Sequence, residues 1–181
     1  MIKLRSFNNG DIPALIKNAN NSKISRYLRD TFPYPYTEQD AEWWISKGSR
    51  QGINRAIIYQ GDFAGTIGVT PFKGEKRHLG EIGYWLGEPF WGKGIAARAV
   101  QILTREVFET TNLQKLTAGV YSPNKASIRV LQKAGYIQEA VLKRNIIKNN
   151  EFYDEHVLVK FRQELITTTE NQQGNIMPPD M

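Results

Sequence analysis

The chain has 181 residues, 40% of them hydrophobic and 23% charged, with a formal net charge of +6. That length favours one domain with a real core, and no stretch approaches the roughly 20 consecutive apolar residues of a membrane span. There is no cysteine, and the two histidines, His78 and His156, are far apart, which excludes disulfides, thiolate zinc sites and cysteine nucleophiles and argues against a histidine-rich metal site.

The chain opens into Ile2 to Phe7, whose alternation predicts a half-buried strand rather than a signal peptide; a cytoplasmic location is expected. Asn9-Gly10-Asp11 is turn chemistry, with Asp11 placed to cap a helix that contains Pro13 and runs to about Asn18. A short helix is expected over Ser22 to Leu28. Phe32-Pro33-Tyr34-Pro35-Tyr36 is extended, because each proline disfavours helix at the residue before it. Thr37 caps a helix from Glu38 to Ser46, which carries Trp43 and Trp44.

Strands follow over Asn54 to Tyr59, Phe63 to Phe72 and His78 to Leu86, the first two joined by a turn at Gln60-Gly61-Asp62. A helix starts at Gly94 or Ile95 and reaches about Glu109. Leu116 to Tyr121 is a strand, Asn124 to Lys133 a helix, and Tyr136 to Lys143 and Phe152 to Phe161 are strands. This order predicts an α/β (α+β) fold, a mixed sheet of about seven strands with helices on its faces. One domain is expected over residues 1–165, with a polar, disordered tail over 166–181.

The chemistry-bearing segment joins the third of these central strands to the long helix. In Phe90-Trp91-Gly92-Lys93-Gly94-Ile95-Ala96-Ala97, two glycines let backbone amides approach an anion, and a helix N-terminus supplies unpaired N–H groups and partial positive charge. Lys93 adds a full charge. The functional reading is a diphosphate clamp; the alternative is a glycine-rich turn with no ligand. Walker and Rossmann phosphate loops both fail on glycine spacing. Because Lys and Arg are scattered among acids, the net charge suits a phosphate-rich small molecule better than a nucleic acid, and neither nucleic acid nor membrane is expected as a partner.

The run Gly80-Glu81-Ile82-Gly83-Tyr84-Trp85-Leu86-Gly87-Glu88-Pro89-Phe90-Trp91-Gly92-Lys93-Gly94-Ile95-Ala96 resembles the GNAT N-acetyltransferases, and within them the RimJ/RimL-type branch. Trp91 replaces the superfamily's Gln/Arg. A second block, Ser122-Pro123-Asn124-Lys125-Ala126-Ser127-Ile128-Arg129-Val130-Leu131-Gln132-Lys133-Ala134-Gly135-Tyr136, is similar to the family's Asn-x-x-Ser-x-x-x-Leu-x-x-x-Gly-Phe/Tyr pattern. The resemblance implies a mostly antiparallel GNAT sheet with a V-shaped splay between the strand of Glu81 and that of Leu116–Tyr121. It implies acetyl-CoA as donor, with CoA as product. The pyrophosphate would meet Trp91, Gly92, Lys93, Gly94, Ile95, Ala96 and Ala97. Pantetheine would pair with the backbone of Trp85 and Leu86 and with Asn124, which is also a good helix N-cap.

The same resemblance implies Glu81 as general base for the acceptor amine, against the alternative of an exposed or paired strand carboxylate. Alternation puts Glu81, Gly83 and Trp85 on one face and Ile82, Tyr84 and Leu86 on the other. Leu131 occupies the position where many relatives carry a tyrosine acid. Ser127 is therefore the first candidate to protonate the departing thiolate, with Tyr136 and Tyr121 behind it. Tyr34, Tyr36 and Trp43, with Trp44, are candidate walls of the acceptor pocket, or ordinary packing. Asp154 and Glu155 read as a solvated strand end, with cation binding as the alternative.

An amine attacks only when neutral. An α-amine is easier to deprotonate than a lysine amine by about 3.5 kcal/mol. One carboxylate base is therefore compatible with α-amine acetylation; the acceptor is expected to be a protein α-amine or a small amine, with the amide of Leu86 facing the oxyanion. The alternative is a non-catalytic acyl-CoA-binding module. The molecule is expected to be a monomer or a homodimer.

Overall fold

A computed structural model of the chain describes residues 1–163; the predicted tail at 166–181 lies outside them. Seven strands form one sheet: β1 (Ile2–Arg5), β2 (Ile53–Tyr59), β3 (Asp62–Pro71), β4 (Leu79–Leu86), β5 (Lys115–Tyr121), β6 (Ile137–Lys148) and β7 (Glu151–Phe161), in the spatial order β1-β2-β3-β4-β5-β7-β6. All neighbours are antiparallel except β4 and β5. The helices are α1 (Ile12–Ala19), α2 (Ser22–Ser25), α3 (Glu38–Ser46), α4 (Ile95–Thr110) and α5 (Lys125–Lys133). Among the described residues no helix is long and apolar enough to cross a membrane.

Local chemistry explains most boundaries. Thr37 and Asp40 form a reciprocal capping box at the start of α3, where the Thr37 side chain accepts from the Asp40 amide and the Asp40 carboxylate accepts from the Thr37 amide. Gln60 and Gly61, both at positive φ, close the β2–β3 hairpin. Three expectations are corrected. Asp11 does not cap α1 with its side chain; it is buried, accepts two hydrogen bonds from the Arg5 guanidinium at 2.6 and 2.8 Å, and boxes with Asn8 one turn earlier. The second short helix ends at Ser25, not Leu28. And β6 runs past Lys143 to Lys148, because an irregularity at Arg144, whose φ is +51° and whose N–H donates to Asp154 at 2.9 Å, interrupts the alternation without ending the strand.

The sheet separates two cores. On one face Ile82 and Leu86 pack with Ile95, Ala99 and Leu103 of α4 and Ile128 and Leu131 of α5, with Tyr84 against them. On the other, Leu15 of α1 and Ala41 and Ile45 of α3 pack with Ala56, Ile58 and Phe63, with Trp85 against them. The alternation read from β4 therefore sends its side chains to opposite sides of the molecule, as expected.

Candidate active site

The site is built on an interrupted strand pairing. β4 pairs with β5 at Leu79↔Lys115, Gly80↔Leu116 and Glu81↔Thr117, and no further. Yet β4 stays paired with β3 as far as Leu86↔Gly65, and β5 with β7 as far as Tyr121↔Glu155. The two central strands thus part beyond Glu81, leaving a wedge-shaped gap in the middle of the sheet.

Backbone direction in the gap follows from two hydrogen bonds. The Phe72 amide donates to the Leu79 carbonyl at 3.0 Å and the Gly87 amide to the Ala64 carbonyl at 2.8 Å, so the odd-numbered residues of β4 face β3. By alternation Tyr84 and Leu86 face the gap. The Leu86 carbonyl accepts the Trp91 indole N–H at 2.8 Å, leaving the Leu86 N–H directed into the gap. This corrects the expectation for Trp85, whose backbone is turned to β3 while its ring packs against Phe32 and Phe63.

A cleft of about 1230 Å³ runs through the gap, lined by residues from both faces of the sheet. On the α4/α5 side its wall includes Trp91, Gly92, Gly94, Ile95, Ala96, Ala97, Asn124 and Ser127. Gly94 is the N-cap of α4 with no side-chain cap bond, so the first amides of a 16-residue helix face outward. Gly92 and Gly94 have φ of +74° and +72°, and a Cβ at either would meet nothing. An open cradle before a helix N-terminus can accept an anion such as a phosphate group. Lys93 does not join the wall; its ammonium lies 5.9 Å from the Phe90 ring centroid.

At the start of α5, Asn124 caps the helix by accepting the Ser127 amide at 3.2 Å. Ser127 Oγ lies 2.9 Å from the Tyr84 hydroxyl, a partner that sequence reasoning did not identify. Burial outweighs the Ser127 hydrogen bond and pushes the Tyr84 phenol well above the usual range, so it stays protonated. Leu131 is fully buried. Tyr136, a reserve acid in the sequence reading, is instead buried and bonded to Thr104 at 2.8 Å, away from the cleft wall. Burial raises the Tyr136 pKa to about 12. Tyr121 does line the cleft.

On the α1/α3 side the wall includes Tyr36, Trp43, Trp44, Glu81 and Glu155. Glu81 is not free: the Arg29 guanidinium donates to its carboxylate. That bond, reinforced by charge attraction, raises the Arg29 pKa. Tyr36 is a buried wall, held by two backbone bonds with the Asn20 side chain at 2.6 and 2.7 Å. Tyr34 is a correction, since it lines a separate shallow pocket beside Lys148. Glu155 reaches the cleft, whereas Asp154 is taken by Lys143 and the Arg144 amide. Exposed His78 and the Gln138-bonded His156 stay outside the site.

Comparison with known proteins is decisive about the family. A family model described as an acetyltransferase (GNAT) domain matches residues 2–137. The chain belongs to the GNAT acetyltransferase family. This acetyltransferase is 26% identical over 162 residues to the uncharacterized N-acetyltransferase YnaD of Bacillus subtilis (strain 168), covering 89% of this chain and 94% of YnaD. Its fold superposes on a GNAT-family acetyltransferase from Bacillus anthracis with a TM-score of 0.77 and 26% identity, over 88% of this chain and 94% of that one. RimL, the ribosomal L7/L12 alpha-N-protein acetyltransferase solved in complex with coenzyme A, gives 0.77 at 19% identity, over 88% and 93%; that likeness is one of fold.

Proposed function

We propose that this GNAT enzyme moves the acetyl group of acetyl-CoA to a primary amine, an α-amine of a protein or a small-molecule amine, by direct attack on the thioester. The observation that carries the reading is the end of β4–β5 pairing at Glu81↔Thr117, which opens a gap with the Leu86 N–H in it. The residues present fit the donor. Gly92, Gly94 and the first amides of α4 would hold the pyrophosphate, with Trp91, Ile95, Ala96 and Ala97 shaping the cradle. Tyr84, with the second lone pair of the Leu86 carbonyl, would offer backbone groups to pantetheine beside Asn124, which leaves the Leu86 N–H for the thioester. When bound, acetyl-CoA supplies an activated acyl carbon and a good leaving group.

The chain's own groups then divide the work. Glu81 accepts the proton of the acceptor ammonium, directly or through water. The Leu86 N–H donates to the carbonyl oxygen as negative charge develops there. Ser127 donates its hydroxyl hydrogen to the departing sulfur and is reprotonated through solvent by the second proton that the attacking nitrogen sheds, while the Tyr84 hydroxyl, bonded to it, orients that hydrogen. Trp43 and Tyr36 wall the acceptor entrance. The non-catalytic alternative has no observation in its favour: a hydroxyl pair stands at the thiol end although Leu131 provides none. The reading is tested by assaying a panel of peptides and small amines for CoA release, with mass detection of the acetylated product. Acetylation of any member supports it, and acetyl-CoA binding without turnover across the panel overturns it.

A further inference from the structure

A glycine in the middle of a strand weakens it, so each one asks for a reason. Most strand glycines here have one in the fold. A Cβ on Gly65 would lie 2.1 Å from the Trp85 carbonyl oxygen, and one on Gly80 would strike Val69, Leu113 and Leu116. A Cβ on Gly68 would lie 1.9 Å from Asn54 Oδ1, and one on Gly119 would lie 2.0 Å from Glu155 Oε1. Gly83 has no such reason. A Cβ there would meet nothing within 4 Å, and its φ lies outside the left-handed region. Among the described glycines, the others facing open space (Gly61, Gly74, Gly92 and Gly94) all have positive φ.

Position supplies what packing does not. Gly83 lies between Glu81 and Trp85 on the α1/α3 face, on the cleft wall, directly opposite Gly68 of β3. Across the gap, Gly119 stands two residues beyond Thr117, the partner of Glu81. Three glycines therefore form a row across β3, β4 and β5. The outer two are covered by an amide oxygen and a carboxylate oxygen, and the middle one is bare. Neither Asn54 Oδ1 nor Glu155 Oε1 accepts a hydrogen bond among the described residues: the Asn54 Nδ2 is spent on Ser49 and Gln51, and Glu155 uses its other oxygen for Asn145.

We infer that Gly83 is the seat of the acceptor's chain, and that Asn54 and Glu155 select an extended acceptor carrying a second nitrogen donor besides its reactive amine. The missing side chain lets the acceptor lie flat on β4 next to Glu81. Two oxygens that only accept hydrogen bonds favour N–H-rich guests over alkyl or anionic ones. The inference rests on the acetyl-transfer reading.

The test compares wild type with Gly83→Ala, Gly83→Val and Glu155→Gln, using 1,4-diaminobutane and butylamine as acceptors. Both Gly83 variants should melt at or above the wild-type temperature and bind acetyl-CoA within twofold of wild type. The kcat/KM for the diamine should fall at least tenfold in Gly83→Val, with Gly83→Ala between. Glu155→Gln should lower the preference for diamine over butylamine at least fivefold. Unchanged acceptor kinetics in Gly83→Val, a lowered melting temperature in both Gly83 variants, or no diamine preference in wild type overturns the inference while acetyl transfer stands. A wild-type enzyme that acetylates neither these nor any other amine overturns the acetyl-transfer reading and this inference with it.

Discussion

The Tyr84 hydroxyl lies 2.9 Å from the Ser127 hydroxyl, joining the middle of β4 to the first turn of α5 across the edge of the gap. The two side chains are 43 residues apart in sequence. Leu131 is sealed in the core, and in the proposed reaction this pair serves the departing thiol. Ser127→Ala should lower kcat about a hundredfold, in the range of lost general-acid catalysis, with a small change in KM for acetyl-CoA. Tyr84→Phe keeps the ring and removes one hydrogen bond, so kcat should fall only about two- to tenfold. Steady-state kinetics of both variants, checked for equal melting temperatures, measure this. Equal losses in the two would mean that the tyrosine itself acts on the sulfur.

Glu81 and Arg29 form an ion pair on the cleft wall. Glu81→Gln should reduce kcat/KM for amines at least tenfold at neutral pH, and raising the pH should narrow the deficit as more acceptor becomes neutral. Arg29→Gln should lower the acceptor KM, because the guanidinium no longer competes with the incoming ammonium for the carboxylate. A pH–rate series on the two variants separates these effects, and an unchanged rate in Glu81→Gln would remove it from the base role.

Gly94 caps α4 at a φ of +72°. Replacing it by Val forces a branched side chain into left-handed backbone and fills the cradle. Stability should drop by about 1–2 kcal/mol from the backbone alone. CoA affinity should drop at least tenfold, the larger effect if the cradle holds phosphate. Thermal melts with and without CoA report both: ligand stabilisation should shrink far more than the unliganded melting temperature falls.

Asp11 is buried with its carboxylate between Arg5 and the Asn8 amide. Burial on its own would raise its pKa, but the Arg5 hydrogen bonds and the Asn8 amide outweigh burial and hold it below the usual carboxylate range. A group with a depressed folded pKa stabilises fully above its unfolded value, near 3.9, and that contribution is lost as pH falls through the folded value. Asp11→Asn should therefore cost about 2–4 kcal/mol at pH 7, and the gap between variant and wild type should close as pH drops below about 4. Denaturant titrations at pH 7 and pH 3 check it.

Much of this was legible in the sequence for a local reason. The Thr37 cap, the Gln60-Gly61 hairpin turn, the glycines before α4 and the Asn124 cap are each set by the φ preferences and hydrogen-bonding groups of a few adjacent residues. The alternation of β4 likewise told which of its side chains share a face, and the two cores bear that out. Asp11 departs from the helix cap its position predicts, because Arg5 of β1 takes its carboxylate. Charge in sequence says nothing of where the flexible Lys93 side chain turns; its ammonium lies 5.9 Å from the Phe90 ring centroid, off the cleft wall.

By itself the sequence determined the order of elements, the cradle at the start of α4 and the family, since all three reside in contiguous motifs. The tertiary structure alone decided what surrounds the reacting groups. Arg29 meets Glu81 across 52 residues, Tyr84 meets Ser127 across 43, and Glu155 lies over Gly119 because β7 pairs with β5 in one register. These encounters follow from strand order and from which face each residue is turned to. Packing fixes them only when the whole sheet assembles.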